Sequence, residues 1–309
     1  MTSIPVIDIS PLQNESDSAL RSVGKELRSA SENDGFFYVA GHGVDTDVIS
    51  STFETSKHFF SLPKEKKVEI QMSDTHRGFL SIGGSTMEGY SSADQKESFI
   101  WGIDEDLDNI SSEDQNQLIA PNRWPNEPAD MRWVLNTFFD EVHNCSRKIL
   151  RALAVSLNES PDFFTRNFNR PTSRGSLIYY PATEENSNGY GVSPHSDFGC
   201  LSMLLQGGPG LSAQSADGNW YEVNPIPNTF VVNIGDLLSR WSNGRFRSVP
   251  HFVVNKGGQA RYSIVVFVDP DSQTVIDPIL HKGETAQFEP ITCDAYISGR
   301  FNRSFAYRN

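Results

Sequence analysis

A chain of 309 residues is long enough for one large β-rich core or two modest ones. Its residues are 37% apolar and 21% charged, and 39 acidic against 26 basic side chains leave a net charge of −13. That sign repels a phosphate backbone, and no stretch reaches the apolar length of a membrane span, so neither a nucleic-acid partner nor a membrane is expected. The opening MTSIPVIDIS has no basic region followed by a long apolar run, so it does not read as a secretory leader. Cys145, Cys200 and Cys293 are widely spaced and odd in number, which suits reduced thiols in a cytoplasmic compartment. Nothing in the sequence fixes an oligomeric state.

In chain order, IPVIDI alternates and predicts a strand. Asp17 to Asn33 predicts a helix through Leu20, Val23, Leu27 and Ala30, stopping before Gly35. GFFYVAGHGV predicts a strand and a turn, and Thr46 to Phe60 a helix that ends before Pro63. Between Met72 and Pro128 the chain is rich in Gly, Ser and Asp and shows little periodicity. A loop of that length suggests a lid (Met72–Pro125) over a small molecule, with Arg77, Phe79 and Phe99 among its candidate pocket residues. Pro128 then opens the longest helix as a first-turn residue. Its apolar stripe runs from Met131 through Phe138, Val142 and Ile149 to Leu157. From Arg174 the pattern changes to some seven or eight short strands broken by GGPG, ADGN and NGR, which argues a double-sheet jelly roll. CDAYISGRFNRSF suggests a short closing helix. The expected architecture is α+β with a mainly β core: a double-stranded β-helix, an N-terminal α/β region and a long supporting helix. The expected boundary lies between an N-terminal region, 1–125, and a catalytic core, 126–309, within one compact unit.

His195 and Asp197 form an H-x-D pair in SPHSDFG, and His251 stands far downstream in VPHFVV. Two imidazoles and a carboxylate split in this way are the ligand set of a non-haem Fe(II) oxygenase, although affinity alone would also admit Mn, Co or Zn. If the pair lies in a strand, both side chains share a face, and His251 must arrive on a second strand. Alone, H-x-D is a weak signal. Arg261 and Ser263 strengthen it, because they too are two apart in ARYSIVVF, and so does Tyr180 in YYP. A guanidinium fork matches a carboxylate, and the two hydroxyls can add donors, so the group suits a dicarboxylic co-substrate. The competing reading of Arg261 is an ion pair with one of the many acidic residues.

These motifs, together with DGFFYVAGHGV, FFSLPKEKK, HSDFGCLSMLLQ and DGNWYEVNPIPNTFVVNIGDLLSRWSNGRFRSVPH, resemble the 2-oxoglutarate-dependent Fe(II) oxygenases of the isopenicillin N synthase-like branch over almost the whole chain. The resemblance implies that His195, Asp197 and His251 hold Fe(II), and that Arg261, Ser263 and Tyr180 hold 2-oxoglutarate, with O₂ as the oxidant. Two positions depart from the pattern: Ile178 stands where many relatives have Asn, and Phe252 follows the second His where Arg is common. Ser176, Ile178, Phe198 and Phe267 complete the candidate pocket for a small-molecule substrate. His42 and Asn243 read as turn and packing residues, and His58, His76, His143 and His281 show no partner in the sequence. The implied reaction is oxidation of a C–H bond in secondary metabolism: hydroxylation, desaturation, epoxidation, cyclisation or ring expansion. An oxidase that spares 2-oxoglutarate, a thymine-like nucleobase hydroxylase and a zinc-bound jelly roll remain as alternatives.

Overall fold

The structure is a computed structural model that describes residues 4–14, 16–72, 74–104, 118–182, 189–255 and 258–305. Part of the expected lid, 105–117, lies outside the described residues. Eight strands form the major sheet: β1 (Val6–Asp8), β2 (Phe36–Ala40), β3 (Gly78–Leu80), β4 (Glu97–Gly102), β5 (Arg174–Tyr180), β7 (Leu201–Gln206), β10 (Phe230–Ile234) and β12 (Arg261–Val268). Their order is β1-β2-β10-β7-β12-β5-β4-β3. β6 (Val192–His195), β8 (Leu211–Gln214), β9 (Trp220–Val223) and β11 (His251–Val253) form the minor sheet in the order β6-β11-β8-β9. A small pair, β13 (Val275–Ile276) and β14 (Ile291–Thr292), stands apart. All pairings between these strands are antiparallel except β1 with β2. This is a jelly-roll fold of the α+β class.

Helices α1 (Asp17–Asn33), α2 (Thr46–Ser61) and α4 (Met131–Ser156) pack together beside the major sheet. Ser16 caps α1 by accepting from the Ala19 amide at 3.3 Å, which satisfies one of the free donors of its first turn. Gly24 lets α1 approach α4 closely, since a Cβ there would lie 2.5 Å from the Ala152 carbonyl oxygen. On α4, Leu135, Phe138, Val142, Ile149 and Leu153 are all fully buried, so its apolar stripe seals the back of the sheet. The remaining α-helices are α3 (Lys64–Val68), α5 (Asp236–Trp241) and α6 (Cys293–Ser304).

Three features differ from the sequence reading. Pro128 is not in the first turn of α4: it follows a cis peptide after Glu127, and the helix begins at Met131 after Asp130. The aperiodic stretch after Met72 contains β3 and β4, which extend the major sheet beyond β5. β4 was hidden because five of its six residues are buried, so both faces are covered and no alternation survives. Finally, His195 ends β6 and Asp197 lies just past it, so the pair spans a strand end and not one strand face.

Candidate active site

β11 lies beside β6 with His251 directly opposite His195, and the chain leaving β6 folds Asp197 back between them. The Asp197 Oδ1 atom is 3.6 Å from His195 Nε2 and 3.7 Å from His251 Nε2. One ligand atom from each residue lies within 4.8 Å of the others, as a shared cation requires. The remaining polar atoms of the three side chains are engaged. His195 Nδ1 is 2.8 Å from the Ser193 carbonyl oxygen and His251 Nδ1 is 3.2 Å from that of Val249, which assigns the proton to Nδ1 and leaves each Nε2 lone pair facing Asp197. Asp197 Oδ2 accepts from Asn233 Nδ2 at 2.7 Å and from the Ser202 hydroxyl, leaving Oδ1 for the metal.

Electrostatics favour the same states. Burial, with His251 beside it, pushes the His195 imidazole down to about 4, so it is neutral at pH 7. Burial alone would raise the Asp197 carboxyl. The two histidines and the Asn233 and Ser202 hydrogen bonds outweigh it and hold the group below its ordinary value. Two imidazole nitrogens and one carboxylate oxygen, each on a side chain held by a further partner, fit a divalent first-row metal.

A cavity beside this triad is lined by Tyr180, Val192, Leu211, Arg261 and Ser263 as well as the three ligands. Arg261 sits opposite Tyr180 across the β5–β12 pair, with its guanidinium 4.9 Å from the phenol ring centroid. Its Nε donates to the Gly208 carbonyl oxygen at 3.1 Å and Nη2 to Gln206 Oε1 at 3.2 Å. Among the described residues, Nη1 and the Ser263 hydroxyl have no hydrogen-bond partner and no carboxylate pairs with Arg261. Burial also raises the Tyr180 phenol, while the adjacent guanidinium pulls the other way.

An outer cavity opens on the other side of the triad, with about 640 Å³ of empty space including its mouth. Ser176, Ile178, Phe198 and Phe267 line it. Arg77, Phe79 and Phe99 do not. Phe79 and Phe99 are fully buried against Phe59, at centroid distances of 6.1 and 5.2 Å. Arg77 is turned toward the Leu118 carbonyl oxygen, 2.8 Å from Nη2. The sequence reading missed His76, Lys96, Ser98, Arg174, Phe301 and Phe305, all of which line the outer cavity. Arg174 was accessible from alternation, since it shares a strand face with Ser176 and Ile178. Phe301 and Phe305 lie one helical turn apart at the end of α6, a spacing that could have marked them as a wall. His76, read as partnerless, packs 4.2 Å from Phe301. Phe252, at the second departure from the family pattern, faces Trp220 at 4.7 Å and Tyr190 at 5.3 Å.

The sequence and fold comparisons agree with this geometry. Residues 4–127 match the profile of the N-terminal region of the non-haem dioxygenase in morphine synthesis, and residues 173–270 match that of the 2OG-Fe(II) oxygenase superfamily. Clavatol oxidase claD of Penicillium crustosum is 31% identical over 98% of this chain and 97% of its own length. The 2-oxoglutarate-Fe(II) type oxidoreductase hxnY of Emericella nidulans is 29% identical over 98% of this chain and 91% of its own. The crystal structure of a full-length Neurospora crassa protein in complex with alpha-KG superposes with a TM-score of 0.85 and 28% identity, over 96% of this chain and 95% of that one. The chain therefore belongs to the 2OG-Fe(II) oxygenase superfamily. It is a dioxygenase that uses Fe(II), 2-oxoglutarate and O₂, and His195, Asp197 and His251 form its metal site.

Proposed function

We propose that the protein oxidises a C–H bond of a small molecule in secondary metabolism, with Arg261, Ser263 and Tyr180 holding 2-oxoglutarate. One observation carries the assignment: a buried guanidinium edge and a buried hydroxyl, both without partners, face a cavity beside the His-Asp-His triad. Leaving such donors unsatisfied is costly, and a carboxylate closes both. The distal carboxylate of 2-oxoglutarate takes the Arg261 fork and the Ser263 hydroxyl. The Tyr180 ring packs on the guanidinium and keeps water from it. This orients the keto-acid end of the co-substrate toward the triad.

Bound iron supplies the oxidising chemistry, coupling decarboxylation of 2-oxoglutarate to succinate with insertion of one O₂ oxygen into the substrate C–H bond. The side chains supply position and dryness. Asn233 and Ser202 fix the Asp197 carboxylate, the Ser193 and Val249 carbonyls fix the imidazoles, and Phe198, Phe267 and Ile178 exclude water beside the reacting centre. The cavity size suits a molecule of one or two rings. Membership beside clavatol oxidase supports a biosynthetic context, and the Neurospora crassa protein was also crystallised with alpha-KG and thymine. No helix among the described residues is long and apolar enough to cross a membrane.

The test is stoichiometry. With iron, ascorbate and a pathway intermediate or thymine, one succinate should form per oxidised product. Product without succinate would identify an oxidase that spares 2-oxoglutarate, and full activity with zinc alone would overturn the oxygenase reading.

A further inference from the structure

β5 and β12 present one shared face to both cavities, with Tyr180 opposite Arg261, Ile178 opposite Ser263, Ser176 opposite Val265 and Arg174 opposite Phe267. Arg261 and Tyr180 line only the inner cavity, Arg174 and Ser176 only the outer one, and Ile178 and Phe267 border both. The backbone positions of the two buried arginines thus stand at opposite ends of one ladder, roughly 20 Å apart at strand spacing.

Arg174 is 4% exposed, and its Nη2 lies 2.9 Å from Asp269 Oδ2. Its guanidinium packs between the rings of Phe301, at 4.8 Å, and Phe267, at 5.8 Å, which fixes its plane. Its Nη1 has no partner among the described residues. A pair built only for stability would close both edges of the fork, and this one leaves a buried donor unpaired on a residue that lines the cavity. Lys96 brings a second cation to the same lining, with Nζ 3.7 Å from Asp94 Oδ2. Asp94 and Asp269 are both fully buried and lie outside the lining, whose only carboxylate among the described residues is the metal ligand Asp197. The remaining wall is largely apolar, from Leu80, Met87, Ile100, Phe198 and Phe305.

We propose that the substrate is a carboxylic acid with a compact apolar body, its carboxylate anchored by Arg174 with Lys96 as a second cation. The inference rests on the reading of the outer cavity as the substrate site. One arginine then holds each acid: Arg261 the co-substrate and Arg174 the substrate. A cationic substrate finds no free acid in this lining, and a neutral one gives the unpaired Arg174 Nη1 no anionic partner.

The test is anaerobic calorimetry on the iron- and 2-oxoglutarate-loaded protein with three probes of one shape: phenylacetate, phenylacetamide and phenethylamine. The acid should bind roughly tenfold or more tighter than the amide, and the amine weakest. Arg174→Gln should erase the preference, with 2-oxoglutarate affinity unchanged. Because that variant strands Asp269, the double variant Arg174→Gln/Asp269→Asn, which removes both charges, should behave the same way while preserving the fold. An acid that binds no tighter than the amide, a preference for the amine, or a preference that survives the double variant would each overturn the proposal. Failure of 2-oxoglutarate to bind would instead strike the co-substrate reading, and the probe comparison with iron alone would still decide this one.

Discussion

Asp197 divides its two oxygens between structure and metal. Oδ2 is held by Asn233 and Ser202, and Oδ1 faces both imidazoles. Asn233 is a polar residue inside a fully buried strand, FVVNI, and this use explains its presence there. Asn233→Ala should therefore lower Fe(II) affinity by roughly 10- to 100-fold with the fold intact, measured by metal competition against a chelating dye. An unchanged affinity would show that Ser202 alone orients the carboxylate. Arg261 carries a larger expectation. Arg261→Ala should weaken 2-oxoglutarate binding by roughly 10²–10³, the scale of a buried carboxylate losing its partner. Arg261→Lys should also bind poorly, because an ammonium cannot offer a planar fork. Titration of 2-oxoglutarate into the iron-loaded protein without O₂ reads both variants.

At the scale of elements, legibility followed periodicity. α1 runs over the residues its stripe marks, Asp17–Asn33, and β12 places Arg261 and Ser263 on one face as their spacing requires. β4 was illegible because its burial erases alternation, and α5, with six residues, is too short to show a helical period. The triad and the proposed co-substrate residues stand at fixed spacings within short motifs, whereas the outer cavity is assembled from β4, β5, β12, α6 and the loop holding His76, which no local pattern joins. α4 illustrates a titratable group with a structural role. Its His143 stacks on Phe139 and lies 3.1 Å from the Ser173 hydroxyl, and burial, with Arg147 nearby, pushes its imidazole down to about 4. The unfolded chain takes up this proton near its ordinary value of 6.5, while the folded chain resists until about 4. His143 thus contributes stability that is present above pH 6.5 and is lost between there and about 4. The loss is roughly 3 kcal/mol at most. In the metal-free protein, His143→Gln should flatten part of the fall in urea stability across that window, the rest belonging to His195 and His42, which burial also shifts down. A slope equal to wild type would mean that His143 is already protonated in the fold.

The whole molecule divides its chemistry between two sheets. The two histidine ligands sit on β6 and β11 of the minor sheet, and the proposed co-substrate residues on β5 and β12 of the major sheet. The third ligand, Asp197, is tied by Asn233 and Ser202 to β10 and β7 of the major sheet. A metal held by the triad would tie the layers together at Asp197, and 2-oxoglutarate held by Arg261, as proposed, would add a second tie. Any ligand that binds only the folded state stabilises it by about 2.7 kcal/mol at a hundredfold excess over its Kd. Fe(II) and 2-oxoglutarate should therefore raise urea stability in two separable steps, and a chelator should remove both together, since the co-substrate loses its metal contact. Arg261→Ala should keep the metal step and lose most of the second, whereas Asp197→Ala should lose both. Separate steps that persist independently after chelation would show that 2-oxoglutarate binds without the metal, and the two-bridge account of this fold would fail.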